Sequence, residues 1–212
     1  MHDISSSLQW RYATKKFDPT RTVSENDLYT LLESARLAPS SLGVQPWKFV
    51  VVNDPALRKA AQGAAYGQAQ VVEASHFVVF CRRTQIDEMY IDHHIVNTAK
   101  LRHTTPEQLA GYRSMITGYL ASLSPIQVES WTAQQVHIAL GFLLMTAAQL
   151  RIDTCPMGGF DQVQMDKVLH LGEKGLTSVA LCAIGYRGDD AYASAPKSRL
   201  SADEVVVTLG VK

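Results

Sequence analysis

The chain has 212 residues, 46% of them hydrophobic and 19% charged, a balance that supports a packed core and argues against disordered or collagen-like architectures. Lys and Arg number 20 and Asp and Glu number 20, which leaves no chain-wide basic field for nucleic acid or an anionic membrane surface. Cys81, Cys155 and Cys182 are widely spaced with no C-x-x-C pair, so neither a disulfide framework nor a cysteine zinc site is indicated. The opening residues, MHDISSSLQWRY, lack the basic flank and apolar centre of an export signal. A single domain over 1–212 and a cytoplasmic location are expected.

A short helix near 3–9 precedes the polar segment RYATKKFDP. Leu28, Leu31, Leu32, Ala35 and Leu37 then recur at helical spacing behind Ser24, with Asp27 in the capping-box position, which predicts a helix over 24–37. LAPSSLGVQPWKF breaks that pattern with prolines, serines and a glycine before KFVVV (48–52), a strand. A short helix follows Asp54 and Pro55, HFVVFCR (76–82) reads as a second strand, and helical segments lie near 85–102 and 106–122. WTAQQVHIALGFLLMTAAQL (131–150) is apolar on nearly every face, the mark of a helix buried all round by sheet, helix or a second subunit. Its polar first half leaves the apolar run short of the roughly 20 residues a bilayer requires. TSVALCAIGYR (177–187) is a third strand, and DEVVVTLGV (203–211) a fourth that needs an edge, its own or a partner's. Strands interrupted by helices, with two long helices in mid-chain, predict an α+β sandwich.

No G-x-G-x-x-G after a strand, phosphate-binding P-loop or G-x-S-x-G elbow is present. Ser40 and Ser41 follow a proline and read as turn or cap groups before nucleophiles, leaving serine hydrolysis a weaker alternative. His93 and His94, adjacent on a helix, point about 100° apart and cannot share a metal as i,i+4 histidines do.

Three clusters have chemical potential. Arg11 and Lys15 are four apart, which on a helical turn stacks two cations on one side; a solvated basic face is the bland alternative. Lys197 and Arg199 are two apart and face the same way if extended, an arrangement that suits a phosphate dianion but also ordinary surface. In CPMGGFD (155–161), paired glycines after a proline can turn backbone N–H groups into a cavity, or form a simple tight turn.

Taken in order, RYATKKFDP, LAPSSLGVQPWKF, EASHFVVF, CPMGGFD, EKGLTSVALCAIGYR and PKSRL resemble signatures of the FMN-dependent nitroreductase family, in particular its oxygen-insensitive NAD(P)H nitroreductase and dihydropteridine reductase branch. The resemblance runs from Arg11 to the end of the chain. It implies a nitroreductase-like sandwich with a mixed central sheet flanked by helices, paired as a homodimer with two FMN sites at the interface. The long helix from Trp131 would lie in that interface, and the C-terminal strand would be exchanged onto the partner's sheet.

The resemblance further implies that Arg11, Lys197 and Arg199 hold the flavin phosphate, while Tyr12, Ala13 and Lys15 line the ribityl chain and pyrimidine edge. Pro39, Ser40 and Ser41 would be lent by the other subunit, with Gln45 supporting the loop. Pro156 and Met157 would pack near the ring, the backbone of Gly158 and Gly159 would donate towards N5 and O4, and Lys15 with Gln70 would offset charge at N1 and O2. Met115–Tyr119 corresponds to a mobile helix over the site, with Thr117 and Tyr119 lining the substrate side. This sequence departs from the family where Ala13 replaces a serine, Gly43 and Gly67 replace asparagines, Gln70 a lysine and Gly158 a glutamate. The Gly67 asparagine normally holds the pyrimidine edge. The implied reaction is ping-pong hydride transfer from NAD(P)H through FMN to a small planar nitroaromatic, quinone or pteridine-type acceptor, without a metal. A flavin-binding sensor or storage protein without turnover is the alternative.

Overall fold

The computed structural model describes residues 3–210. Strands β1 (Trp47–Val51), β2 (His76–Arg83), β3 (Asp153–Met157) and β4 (Leu176–Gly185) form one sheet in the order β1-β2-β4-β3, and all three neighbouring pairs are antiparallel. The mixed character expected of the sheet is confined to one parallel bridge, Ala13 to Thr154, at the β3 edge. Helices α1 (Ile4–Trp10), α2 (Glu25–Arg36), α3 (Pro55–Ala64), α4 (Gln70–Glu73), α5 (Glu88–Leu101), α6 (Ala110–Ala121), α7 (Pro125–Gln149), α8 (Gln162–Val168) and α9 (Ala202–Val205) complete the α+β chain.

Alternation along the central strands divides the core. Phe77, Val79, Cys81 and Leu181 enter the cluster shared with α3, α4 and α8, whereas Val78, Phe80, Cys182 and Ile184 enter the one shared with α2 and α7. Because both faces are covered, β2 and β4 read in sequence as continuous apolar runs. A third cluster joins α5 and α6 to Val44 and Trp131.

Several expectations need correction. CPMGGFD (155–161), read as either a donor loop or a tight turn, is strand through Met157, and β3 tolerates Pro156, which has no ladder N–H to donate, because it is an edge strand. Helix α7 begins six residues before Trp131, at Pro125, behind Ser124, whose N–H donates to Gln127 Oε1 at 2.8 Å. Within one chain Leu143 and Ala147 are sealed, while Ile138 and Phe142 remain 40% and 45% exposed, which leaves the second subunit as the remaining way to bury the helix on every face. No described helix is long and apolar enough to cross a membrane. The strand foreseen at 203–211 is also not formed within the chain. Ala202–Val205 make one helical turn under a Ser201–Glu204 capping box, Val206–Gly210 pair with no strand, and residue 211 lies outside the described residues. A β-branched run becomes strand only where an edge is offered to it, and Val207 and Leu209 stand 80% and 90% exposed.

The segment after α1 is extended and not helical, with Ala13 bridged to Thr154 and Phe17 to Arg187. A Cβ on Gly185 would come within 2.7 Å of Phe17 Cδ1 and 3.2 Å of the Ser75 nitrogen, so glycine there lets Phe17 lie on the sheet. Arg187 fixes the other end of the segment. Its Nε donates to Asp153 Oδ1 at 2.8 Å, its backbone N–H donates to Oδ2 at 2.9 Å, and its guanidinium lies 4.2 Å and 4.7 Å from the ring centres of Trp10 and Tyr12. Asp153 is buried. Asp153→Ala strands the Arg187 charge and is expected to destabilise the fold by about 3 kcal/mol, read as a lower urea midpoint with an unchanged m value.

Candidate functional site

Three cations meet where α1 ends. Arg11 caps that helix, and Lys197, 186 positions later, donates its Nζ to the carbonyls of Leu8 (2.5 Å) and Arg11. The last carbonyls of a helix lack intrahelical donors and carry partial negative charge, so they satisfy the ammonium without neutralising it. Burial first, then Arg199, lowers the Arg11 pKa; burial first, then Arg11 and Arg199, lowers that of Lys197. Like charges therefore face one another here, and among the described residues none of the three forms an ion pair. Arg11 Nε is buried with no hydrogen-bond partner. A polyanion is the chemical complement of this set.

The extended segment also corrects the reason why Arg11 and Lys15 share a side: residues 11, 13 and 15 face the same way in extended chain. Asp190 anchors it. Its Oδ2 accepts from Tyr12 Oη at 2.9 Å and from the backbone N–H groups of Lys15 (2.7 Å) and Lys16 (3.2 Å). Burial works against the Asp190 charge, but the Lys15, Tyr192, Tyr12 and Lys16 donors outweigh it and hold the carboxyl below its ordinary value. The Tyr12 hydroxyl is pushed up to about 12 by burial and then by Asp190.

Beside this segment β3 ends at Met157. The N–H groups of Gly158 and Gly159 donate to no acceptor among the described residues, and a Cβ on either would meet nothing within 4 Å. Gln68 Nε2 donates to the Gly159 carbonyl at 2.9 Å and so holds the loop of Gly67, whose φ is +75°, against the glycines. Gln70 is buried behind that loop. Burial pushes the Cys155 thiol up, opposed by the Lys15 charge and the Gln70 amide, so both polar groups act on the same corner of the site.

The remaining expected site residues lie elsewhere. Gln45 N–H donates to Ser40 Oγ at 2.9 Å, Ser41 N–H donates to Gln135 Oε1 at 2.8 Å, and Tyr112 Oη donates to the Leu42 carbonyl at 2.5 Å. No histidine or carboxylate bonds to Ser40 or Ser41 among the described residues, so nothing there activates a nucleophile. Thr117 Oγ1 donates back to the Ser114 carbonyl, and the ring of Tyr119 tilts on Trp131 with centroids 5.8 Å apart. Gln135 and Trp131 are near the start of α7, whereas Trp10 packs 4.9 Å from Arg151, just past its end. At 1.5 Å per residue, those two anchorages are roughly 25 Å apart. One chain thus assembles Arg11, Tyr12, Ala13, Lys15, Gly67, Gln70, Pro156–Gly159, Lys197 and Arg199 around one region, while Pro39–Ser41, Thr117 and Tyr119 sit at the far end of α7.

Sequence reasoning missed Asp190, Gln68 and Gln135. Asp190 is indistinguishable in sequence from its neighbour Asp189, and Gln68 from any loop amide; a glutamine at a position that α7 buries was the available signal for Gln135. His93 is exposed, whereas His94 is half-buried with its Nε2 3.0 Å from Tyr112 Oη; no metal-holding group of three His, Cys, Asp or Glu occurs among the described residues.

A model of the nitroreductase family matches residues 8–186. The chain is 35% identical, over 99% of its length and 96% of the relative's, to a Staphylococcus aureus protein provisionally named an NAD(P)H nitroreductase. A Staphylococcus epidermidis structure provisionally named an NAD(P)H:FMN oxidoreductase superimposes with a TM-score of 0.87 at 22% identity, covering 99% of this chain and 97% of that one. One from Exiguobacterium sibiricum, provisionally a nitroreductase and in complex with FMN, gives 0.83 at 22% identity, covering 99% and 98%. These two structures establish the common fold, and the family match together with the full-length relative establishes descent: the chain belongs to the nitroreductase family.

Proposed function

We propose that the protein is an FMN-dependent NAD(P)H oxidoreductase acting on small planar acceptors, nitroaromatics, quinones or pteridine-type molecules, as a homodimer with a flavin at each end of the shared interface. The observation that carries this reading is the convergence of Arg11, Lys197 and Arg199 without a counter-ion among the described residues, with Arg11 Nε buried and unpartnered there. A phosphate monoester fits that set in charge and in donor geometry.

FMN, held by these residues, would supply the hydride-transfer chemistry between NAD(P)H and an acceptor. The chain's own residues bind and orient. Arg11, Lys197 and Arg199 hold the phosphate; Tyr12 and Ala13 flank the ribityl chain; Lys15 and Gln70 offer a cation and an amide to the pyrimidine edge. Pro156 and Met157 form an apolar floor. Gly158 and Gly159 present free backbone donors with no side chain in the way, which is the fixed-dipole form of electrostatic assistance. Pro39, Ser40, Ser41, Thr117 and Tyr119 serve the partner's flavin, because the length of α7 separates them from the chain's own phosphate cluster. The exposed Ile138 and Phe142 supply the apolar face through which two copies meet.

Lys197→Ala with Arg199→Ala removes two charge-assisted contacts, each worth about 1.5 kcal/mol or more, and is expected to weaken FMN at least a hundredfold. Dialysis followed by absorbance measures it, and full flavin retention refutes the phosphate assignment. Anaerobic mixing with NADH and NADPH separately is expected to bleach the flavin, with reoxidation by a quinone or nitroaromatic; bound flavin that neither nucleotide reduces would favour the storage reading. Phe142→Glu is expected to convert the dimer to monomers by light scattering and to lower flavin occupancy with it.

A further inference from the structure

Helix α4 is a single turn, and its first residue is Gln70, which the flavin reading places at the pyrimidine edge. One turn does not hold itself together in water, because nucleation costs more than its few hydrogen bonds return. No side chain caps its start at Ala69. Its far end is held by one residue of α3. Arg58 donates from Nε to the Val71 carbonyl at 2.8 Å, from Nη2 to that of Ala74 at 2.5 Å and from Nη1 to that of Ser75 at 3.2 Å. Carbonyls at the end of a helix have no intrahelical donors, and Val71 and Ala74 are buried away from water. Among the described residues Arg58 forms no ion pair, and burial alone lowers its pKa. No carboxylate competes with the backbone for this guanidinium. The turn itself carries the hold to Gln70, whose carbonyl accepts from the Ala74 N–H at 3.3 Å. The Gln70 amide in turn reaches the Cys155 thiol, on which Lys15 also acts. A thiol is a weak acceptor, so the amide keeps donor capacity for a ligand.

We propose that Arg58 is a positioning residue for the flavin: by clamping the end of α4 it fixes the Gln70 amide against the pyrimidine edge, and through that amide sets the reduction potential of bound FMN. The proposal rests on the flavin reading and adds to it a residue whose own bonds run to backbone carbonyls. Reduction places negative charge at the N1 and O2 edge, and a hydrogen bond to the charged form favours that form. The planar guanidinium reaches three carbonyls from one stem, whereas an ammonium keeps the charge without the fork. Lysine at position 58 therefore preserves a cation for the orphan carbonyls and loses the register of α4.

The midpoint potential of bound FMN is measured by anaerobic spectroelectrochemistry in FMN-saturated wild-type, Arg58→Lys, Arg58→Gln, Gln70→Ala and doubly substituted Arg58→Lys, Gln70→Ala proteins. Gln70→Ala is expected to weaken reduced FMN relative to oxidised FMN about tenfold, which lowers the two-electron midpoint by about 30 mV. Arg58→Lys and Arg58→Gln are each expected to cause at least a threefold change in the same direction. In the Gln70→Ala background Arg58→Lys is expected to add nothing, the non-additivity of two residues that act as one. A wild-type potential in either Arg58 variant, or in Gln70→Ala, overturns the proposal, as does an additive shift in the double variant. Failure of both Arg58 variants to fold and load FMN assigns Arg58 to the fold alone and also overturns it. Wild-type protein that takes up no FMN overturns the flavin reading, and this proposal with it.

Discussion

The arrangement of the site depends on one electrostatic constraint: three cations from sequence positions nearly two hundred residues apart are held together without an anion from the described residues. Repulsion among them is tolerable because Lys197 is solvated by the terminal carbonyls of α1, which hydrogen bond to it without cancelling its charge. Arg11 stays in place because Trp10 and Tyr12, its neighbours, are stacked on Arg187, which is itself locked to buried Asp153. The sheet edge therefore positions the cluster. Neutral overall composition conceals this, since the charge is concentrated and not distributed.

The same logic underlies the proposal that the site spans two copies. Helix α7 packs one face on the sheet and leaves Ile138 and Phe142 outside, so its exposed stripe and its length act together. Residues anchored near Trp131 and Gln135 cannot reach the Arg11 cluster of their own chain. In the proposed dimer, a two-fold axis that sets α7 antiparallel to its mate would bring each start beside the other's end, the isologous arrangement common to dimers. The described valines of the carboxyl end fit the proposed arrangement as well, since they pair with no strand of their own chain, while β1 keeps a free edge.

Legibility in the sequence followed the locality of the forces. Ser24 with Asp27, Asp54 before Pro55, and the apolar runs of β2 and β4 were readable because capping and burial on both faces leave contiguous marks. Strand β3 was not, because Pro156 and the glycines after it imitate a turn, and only the edge position that tertiary pairing supplies makes a strand possible. The early start of α7 was hidden because Pro125 and Ser124, a clear amino-terminal signal, stand ahead of an amphiphilic turn that lacks the later apolarity. Lys197 and Arg199 could be paired by spacing, but their meeting with Arg11 is a long-range fact, reached through the resemblance and not through any local pattern.

The strain in the 39–45 loop bears on what that loop is for. Leu42 and Gln45 hold φ values of +54° and +52°, a left-handed region that costs non-glycine residues energy. Separate elements offset this: Gln135 from α7, Tyr112 from α6 and Tyr90 from α5 each bond to the loop backbone. A connector between a helix and a strand needs none of that reinforcement. The proposed role, a platform that keeps one backbone shape against a ligand of the other copy, does. Gly43, at +62° and with the space for a Cβ limited to 3.2 Å by the Tyr112 hydroxyl, belongs to the same device. An asparagine there would have to share the space that the α6 tyrosine now fills. The departure from the family at Gly43 is thus coupled to the contact that joins α6, and with it Thr117 and Tyr119, to the loop.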